Sequence, residues 1–280
     1  MLGAPGRVAR QRKNTGDFDV TVRIGRHGLR DDLDVATAGP DDVVVLGDSF
    51  AWGWGVEAPD RFSDRLRSLT GRRVFNVATP TDLAGYRLLL AHVEGLGARP
   101  GTVVLAVCME NDLLSGDATL PGEPPAGWAI ADLKGWLERS SAAYLLLTTA
   151  VHQVPVLRDL AVGLGLVTPN LRGISRTPDA DAAIAASAQA VAALAEGHRL
   201  LVVLIPSRAL WVGADRARED SVHRRFVAAL QARGIAVLDL RPLVEAGGQP
   251  LSWHFANDGH WNAEGHRQAA EAIARRLREP

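Results

Sequence analysis

Short aliphatic runs recur at 43–46, 74–77, 103–107, 200–205 and 235–240, and their length and β-branched content predict strands buried on both faces. Between and after them, the segments 61–69, 83–96, 221–232 and 263–277 place apolar residues three and four apart, which predicts amphipathic helices. Alternation of the two patterns implies an α/β fold. We expect three α/β/α layers around a central, mostly parallel five-stranded sheet.

Two stretches depart from that rhythm. Residues 116–197 separate the third and fourth strand runs without a strand pattern of their own, beginning with a Pro- and Gly-rich loop at 120–127 and continuing with helical runs at 130–138, 142–162 and 180–194. This predicts a helical insertion, acting either as a lid over the carboxyl ends of the strands or as ordinary helical packing. Residues 1–41 read as a polar, Gly-rich N-terminal extension in which 18–24 alternates like an edge strand or hairpin arm. Residues 42–280 then form the main domain.

Composition narrows the function classes. With 31 Lys and Arg against 32 Asp and Glu, and no large basic cluster, the chain has no electrostatic footprint for nucleic acid. The longest apolar stretch, 142–157, is interrupted by His152, Gln153 and Pro155, so no membrane span is expected. The N-terminal segment carries positive charge but no apolar core of signal length, and a cytoplasmic location is the expectation. Cys108 is the single cysteine, which excludes an internal disulfide. Oligomeric state is not encoded in any of these patterns.

The chemistry begins where the first buried run stops, at Gly47-Asp48-Ser49. A hydroxyl at the carboxyl end of a parallel strand sits where such sheets expose reactive groups, although Gly-Asp-Ser is also ordinary turn chemistry. A serine nucleophile needs a base and a group to orient that base. Asp258 and His260, two residues apart before the last amphipathic segment, supply both; read as extended chain, they face one side, with Asn262 capping the following helix. At the end of the third strand run, Asn111 offers a side-chain donor for an oxyanion, or simply a turn residue.

In order, Gly47-Asp48-Ser49, Asn76 with its following loop, Glu110-Asn111-Asp112 and Asp258-Gly259-His260-Trp261-Asn262 resemble the blocks of the SGNH/GDSL hydrolases. The resemblance runs from about residue 18 to the end and is least in the insertion. It implies an SGNH hydrolase-like fold, with Ser49 as nucleophile, His260 as general base, Asp258 as its orienting acid, and the Ser49 amide with Asn111 in the oxyanion hole. The family's oxyanion glycine is expected five residues after Asn76, where Thr81 stands instead, and the resemblance then assigns the Thr81 backbone N–H to the oxyanion hole. The Asp-x-His-Trp-Asn spacing is closer to the alginate O-acetylation branch.

Trp52 and Trp54 beside the nucleophile, and Trp253 and Trp261 beside Asp258 and His260, are read as pocket lining or as core. A metal reading of His254, Asp258, His260 and His266 competes, but the spacing matches no closed metal site, so neither metal nor other cofactor is expected. The expected function is a serine-dependent acyl ester hydrolase acting through an acyl-enzyme on a small acyl ester of a carbohydrate or other hydroxyl-rich metabolite. An O-acyltransferase using the same three residues is the alternative. A catalytically weak binding module, suggested by Thr81, is the second.

Overall fold

The computed structural model describes residues 2–113, Val156 and 181–279. Five strands, β3 (Val43–Leu46), β4 (Val74–Asn76), β5 (Thr102–Cys108), β6 (Arg199–Ile205) and β7 (Ala236–Asp239), form one sheet in the order β4-β3-β5-β6-β7. All pairings in it are parallel.

Side-chain alternation along these strands feeds two cores, as a sheet covered on both faces requires. Val44, Leu46, Val103, Leu105, Val202 and Leu204 point to one side, against α3 (Leu83–Gly95), α4 (Asp181–Leu194) and α5 (Arg216–Gln231). Val43, Val45, Val104, Ala106, Val203 and Ile205 point to the other, against α2 (Phe62–Thr70), α6 (Arg241–Ala246) and α7 (Ala263–Arg278). The three-layer fold is therefore as expected, and the expected strands agree with the observed ones to within two residues at their ends.

Strand order places the site. From β3 the chain passes to β4 on one side, then returns to β5 on the other, so the crevice above β3 and β5 is a topological switch point. The short helix α1 (Ser49–Trp52) starts directly after β3, and Glu110 and Asn111 follow β5.

Of the segment 116–197, Val156 and 181–197 are within the described residues, and there α4 packs Ile184, Ala188 and Val191 into the sheet core as an ordinary crossover helix. The rest of the expected insertion or lid lies outside them. Residues 1–41 contain an antiparallel hairpin of β1 (Val8–Arg12) and β2 (Asp19–Arg23), separate from the central sheet. β2 falls within 18–24, read as an edge strand or hairpin arm, and is an arm of this hairpin. β1 had no expectation because its residues are exposed or half-exposed and show no buried stripe. No helix among the described residues is long and apolar enough to cross a membrane.

Candidate active site

Backbone geometry delivers the serine. Gly47 has φ +154°, and a Cβ on it would come within 3.0 Å of the Ala106 carbonyl oxygen and 2.7 Å of the Ala51 methyl, so only glycine allows the turn out of β3. Asp48 caps α1 by accepting the Phe50 N–H at 2.9 Å, and Ser49 becomes the first helical residue. Buried Asn76 fastens the helix from below: its amide donates to the Ala51 carbonyl at 2.7 Å and to the Ser63 hydroxyl at 2.8 Å.

The loop after Trp253 brings His260 to the serine. His260 Nε2 lies 2.8 Å from Ser49 Oγ, and His260 Nδ1 lies 2.5 Å from Asp258 Oδ1. The segment is a turn rather than the extended chain expected from sequence. Asp258 still reaches the ring because its Oδ1 also accepts the His260 N–H at 3.0 Å, folding the side chain back over its own turn. As expected, Asn262 caps α7, accepting the Glu264 and Gly265 N–H groups at 3.0 Å. Its amide also donates to the Ser252 and His254 carbonyls, tying the loop to the helix start.

Asp258 is buried, and burial alone would raise its carboxyl. The hydrogen bond and charge of His260, then those of Lys13, outweigh that and hold it well below the usual carboxylate range. Asp48 shows the opposite balance: burial pushes its carboxyl up to about 6, although the Phe50 N–H, His260 and Asn111 act against the rise. Deeper still, burial and the neighbouring Asp48 charge raise Asp112 well above its ordinary value, despite donation from the Cys108 N–H and the Tyr86 hydroxyl at 2.8 Å each. Burial also raises the Cys108 thiol, beyond use as a nucleophile.

A cavity of about 330 Å³ opens over Ser49, lined among others by Lys13, Asn111, Arg208, Asp258 and His260. Asn111 is exposed at its wall. Thr81 does not line the cavity: its φ is not positive, its carbonyl accepts the Tyr86 hydroxyl at 3.3 Å, and the following Asp82 caps α3. None of the four tryptophans lines the cavity either. Trp253 and Trp261 are buried and pack edge to face on each other, serving the core beneath the loop. Trp54 stacks on the His260 ring at 5.3 Å, and Trp52 lies beneath the Arg30 guanidinium.

Arg208 and Lys13 had no expectation from sequence. Arg208 lies on the loop after β6 and binds Glu110 through two parallel hydrogen bonds of 2.8 Å, bracing one cavity wall. A Cβ at Gly259 would come within 2.6 Å of the Arg208 Cζ, so a larger residue between Asp258 and His260 would displace the guanidinium. The Glu110-Asn111-Asp112 block was the available signal for the first residue. Lys13 had none.

Among the described residues, no group of three or more His, Cys, Asp and Glu side chains is arranged to hold a metal ion. His254 and His266 are instead buried, and burial lowers each imidazole to about 3, keeping both neutral.

Residues 171–280 match the family described as the SGNH hydrolase-like domain of the acetyltransferase AlgX. No curated protein matches the chain in sequence. Among solved structures, the chain is similar to the lipase/acylhydrolase from Enterococcus faecalis, with 12% identity, a TM-score of 0.50, and 84% of this chain and 95% of that one covered. A member of the lipolytic protein G-D-S-L family from Veillonella parvula matches with 11% identity, a TM-score of 0.47, and 85% and 99% coverage. A carbohydrate esterase family 2 enzyme with a carbohydrate binding domain, from Corynascus thermopiles, matches with 13% identity, a TM-score of 0.42, and 92% and 70% coverage. The Enterococcus likeness shows a shared fold.

Proposed function

We propose that this SGNH hydrolase-like protein, AlgX-like over residues 171–280, is a serine-dependent acyl ester hydrolase acting on a small acyl ester of a carbohydrate or other hydroxyl-rich metabolite. The observation that carries the reading is the continuous relay from Asp258 Oδ1 through His260 to Ser49 Oγ, with contacts of 2.5 and 2.8 Å.

In this reading Ser49 Oγ attacks the ester carbonyl while His260 Nε2 takes the hydroxyl proton. Asp258 holds the Nδ1–H tautomer and offsets the charge that develops on the ring. The Ser49 N–H, at the first helical position, has no intrahelical acceptor and is available to the oxyanion together with the Asn111 side chain at the cavity wall. His260 then protonates the departing alkoxide, and water resolves the acyl-enzyme. Thr81 does not line the cavity and has no part in this scheme.

The test is turnover of a short-chain nitrophenyl ester by the wild type and by Ser49→Ala. Loss of kcat by about 10⁴-fold or more is expected. Equal rates for the two would end the serine mechanism.

O-acyl transfer is a second reading, favoured by the acetyltransferase description of the family matched at 171–280. The same acyl-enzyme is then resolved by an acceptor hydroxyl instead of water. Product analysis with a carbohydrate acceptor present separates the two: free acid alone supports hydrolysis, and acylated acceptor supports transfer.

A further inference from the structure

We propose that Lys13, carried by the N-terminal hairpin, is a positioning residue of the Ser49 site, orienting Asp258 and setting the pH at which His260 becomes an available base. This rests on the serine mechanism above. Lys13 Nζ pairs with Asp258 Oδ2 at 2.8 Å, which leaves Oδ1 for the His260 ring at 2.5 Å and its N–H at 3.0 Å. The two oxygens therefore have separate duties, and the carboxylate cannot rotate without giving up an ion pair. Lys13 also lines the cavity, with 30% of its side chain exposed.

The hairpin is built to hold that lysine in place. Its β1 residue Gln11 accepts the Gly55 N–H at 3.1 Å, and its turn residue Asp17 accepts the Asn257 N–H at 3.0 Å. Phe18 packs on Phe255 with ring centroids 5.2 Å apart. A Cβ on Gly55, where φ is +78°, would meet Phe18 at 2.7 Å and Phe255 at 2.8 Å, so the three segments close without spare volume. The hairpin thus joins the loop carrying Trp54, which stacks on His260, to the loop carrying Asp258. It does so from outside the central sheet.

Charge supplies the functional consequence. A cation on Asp258 offsets part of the negative charge that would otherwise stabilise the imidazolium. Without it the imidazole holds its proton to higher pH. Among the described residues, the other charged groups near this pair are Arg208, with its partner Glu110, toward Asp258, and Asp48 toward His260, while His254 and His266 are neutral. Lys13 is the member of this set that comes from the hairpin.

The experiment compares wild type, Lys13→Met and Lys13→Arg by NMR titration of the His260 ring, the pH dependence of kcat/KM, and Tm. For Lys13→Met, the ring titration and the acid limb of the profile should move up together by about half to one pH unit. Below the limb, kcat/KM then falls by roughly 3- to 10-fold, with KM little changed. Lys13→Arg should restore the wild-type midpoint. An unmoved titration and limb in Lys13→Met would overturn the proposal, whether or not Tm falls, because Lys13 would then be only a strut. A rise in KM alone would overturn it too, in favour of ligand binding. The ring titration needs no turnover, so it remains decisive if the ester assay fails, and a failed Ser49→Ala test is a separate result.

Discussion

Two acidic environments meet at Ser49, and they treat the same side chain in opposite ways. On the loop side, Asp258 is buried but surrounded by cationic and donor partners, so its carboxyl is held well below the usual range. On the sheet side, Asp48 and Asp112 are buried together; desolvation raises both carboxyls, and the Asp48 charge raises Asp112 further. Burial is common to all three. Company decides how readily each carboxyl gives up its proton, and the one that does so most readily is bonded to the His260 ring.

The largest break in this contrast should come from Asp258→Asn. An amide cannot hold the Nδ1–H tautomer as a carboxylate does, and kcat should fall by about 10³- to 10⁴-fold, read in the ester assay. Asp48→Asn should cost under about 10-fold in kcat, since the amide oxygen can still accept the Phe50 N–H. A loss as large as that of Asp258→Asn would erase the distinction between the two sides.

Stability against pH sharpens the contrast further. A raised folded-state carboxyl such as Asp48, at about 6 against an unfolded value of 3.8, binds its proton more tightly in the folded protein. Its contribution to stability therefore grows as pH falls through 6 toward 3.8 and is lost as pH rises through that window. Asp258 runs the other way: its lowered carboxyl stabilises the fold above the unfolded value, and that gain is lost as pH falls through the folded one. Thermal melts at pH 7.5 and 5 should show Asp48→Asn gaining Tm by a few degrees at the higher pH and less at the lower. A gain independent of pH would sink this assignment.

The smallest effect belongs to His254. It is buried and neutral, and among the described residues neither of its ring nitrogens has a hydrogen-bond partner of good geometry, in contrast to the two bonded nitrogens of His260. His254→Phe should change kcat by under about 2-fold and should not lower Tm, because an unsatisfied polar ring is replaced by an apolar one. A large loss of activity would make His254 part of the site.

Much of the fold was legible because it is written locally. The strand runs and the amphipathic helices announce themselves within windows of a few residues, and the alternation of faces in β5 and β6 follows directly from strand geometry. Ser49, Asp258 and His260 were legible as residue types at the ends of such elements. Trp253 and Trp261 were not legible as core, since a tryptophan beside a loop reads the same whether the loop folds over it or away from it.

Taken by itself, the sequence determined the layered α/β architecture and singled out Ser49, Asp258 and His260 as candidates, because periodicity, capping and turn chemistry act between near neighbours. Tertiary structure alone decided the company those residues keep. Ser49 and His260 are 211 positions apart, Glu110 and Arg208 are 98 apart, and Lys13 and Asp258 are 245 apart. Whether such pairs meet depends on how loops leave the sheet and on where a separate hairpin docks, and no local pattern in the chain encodes that.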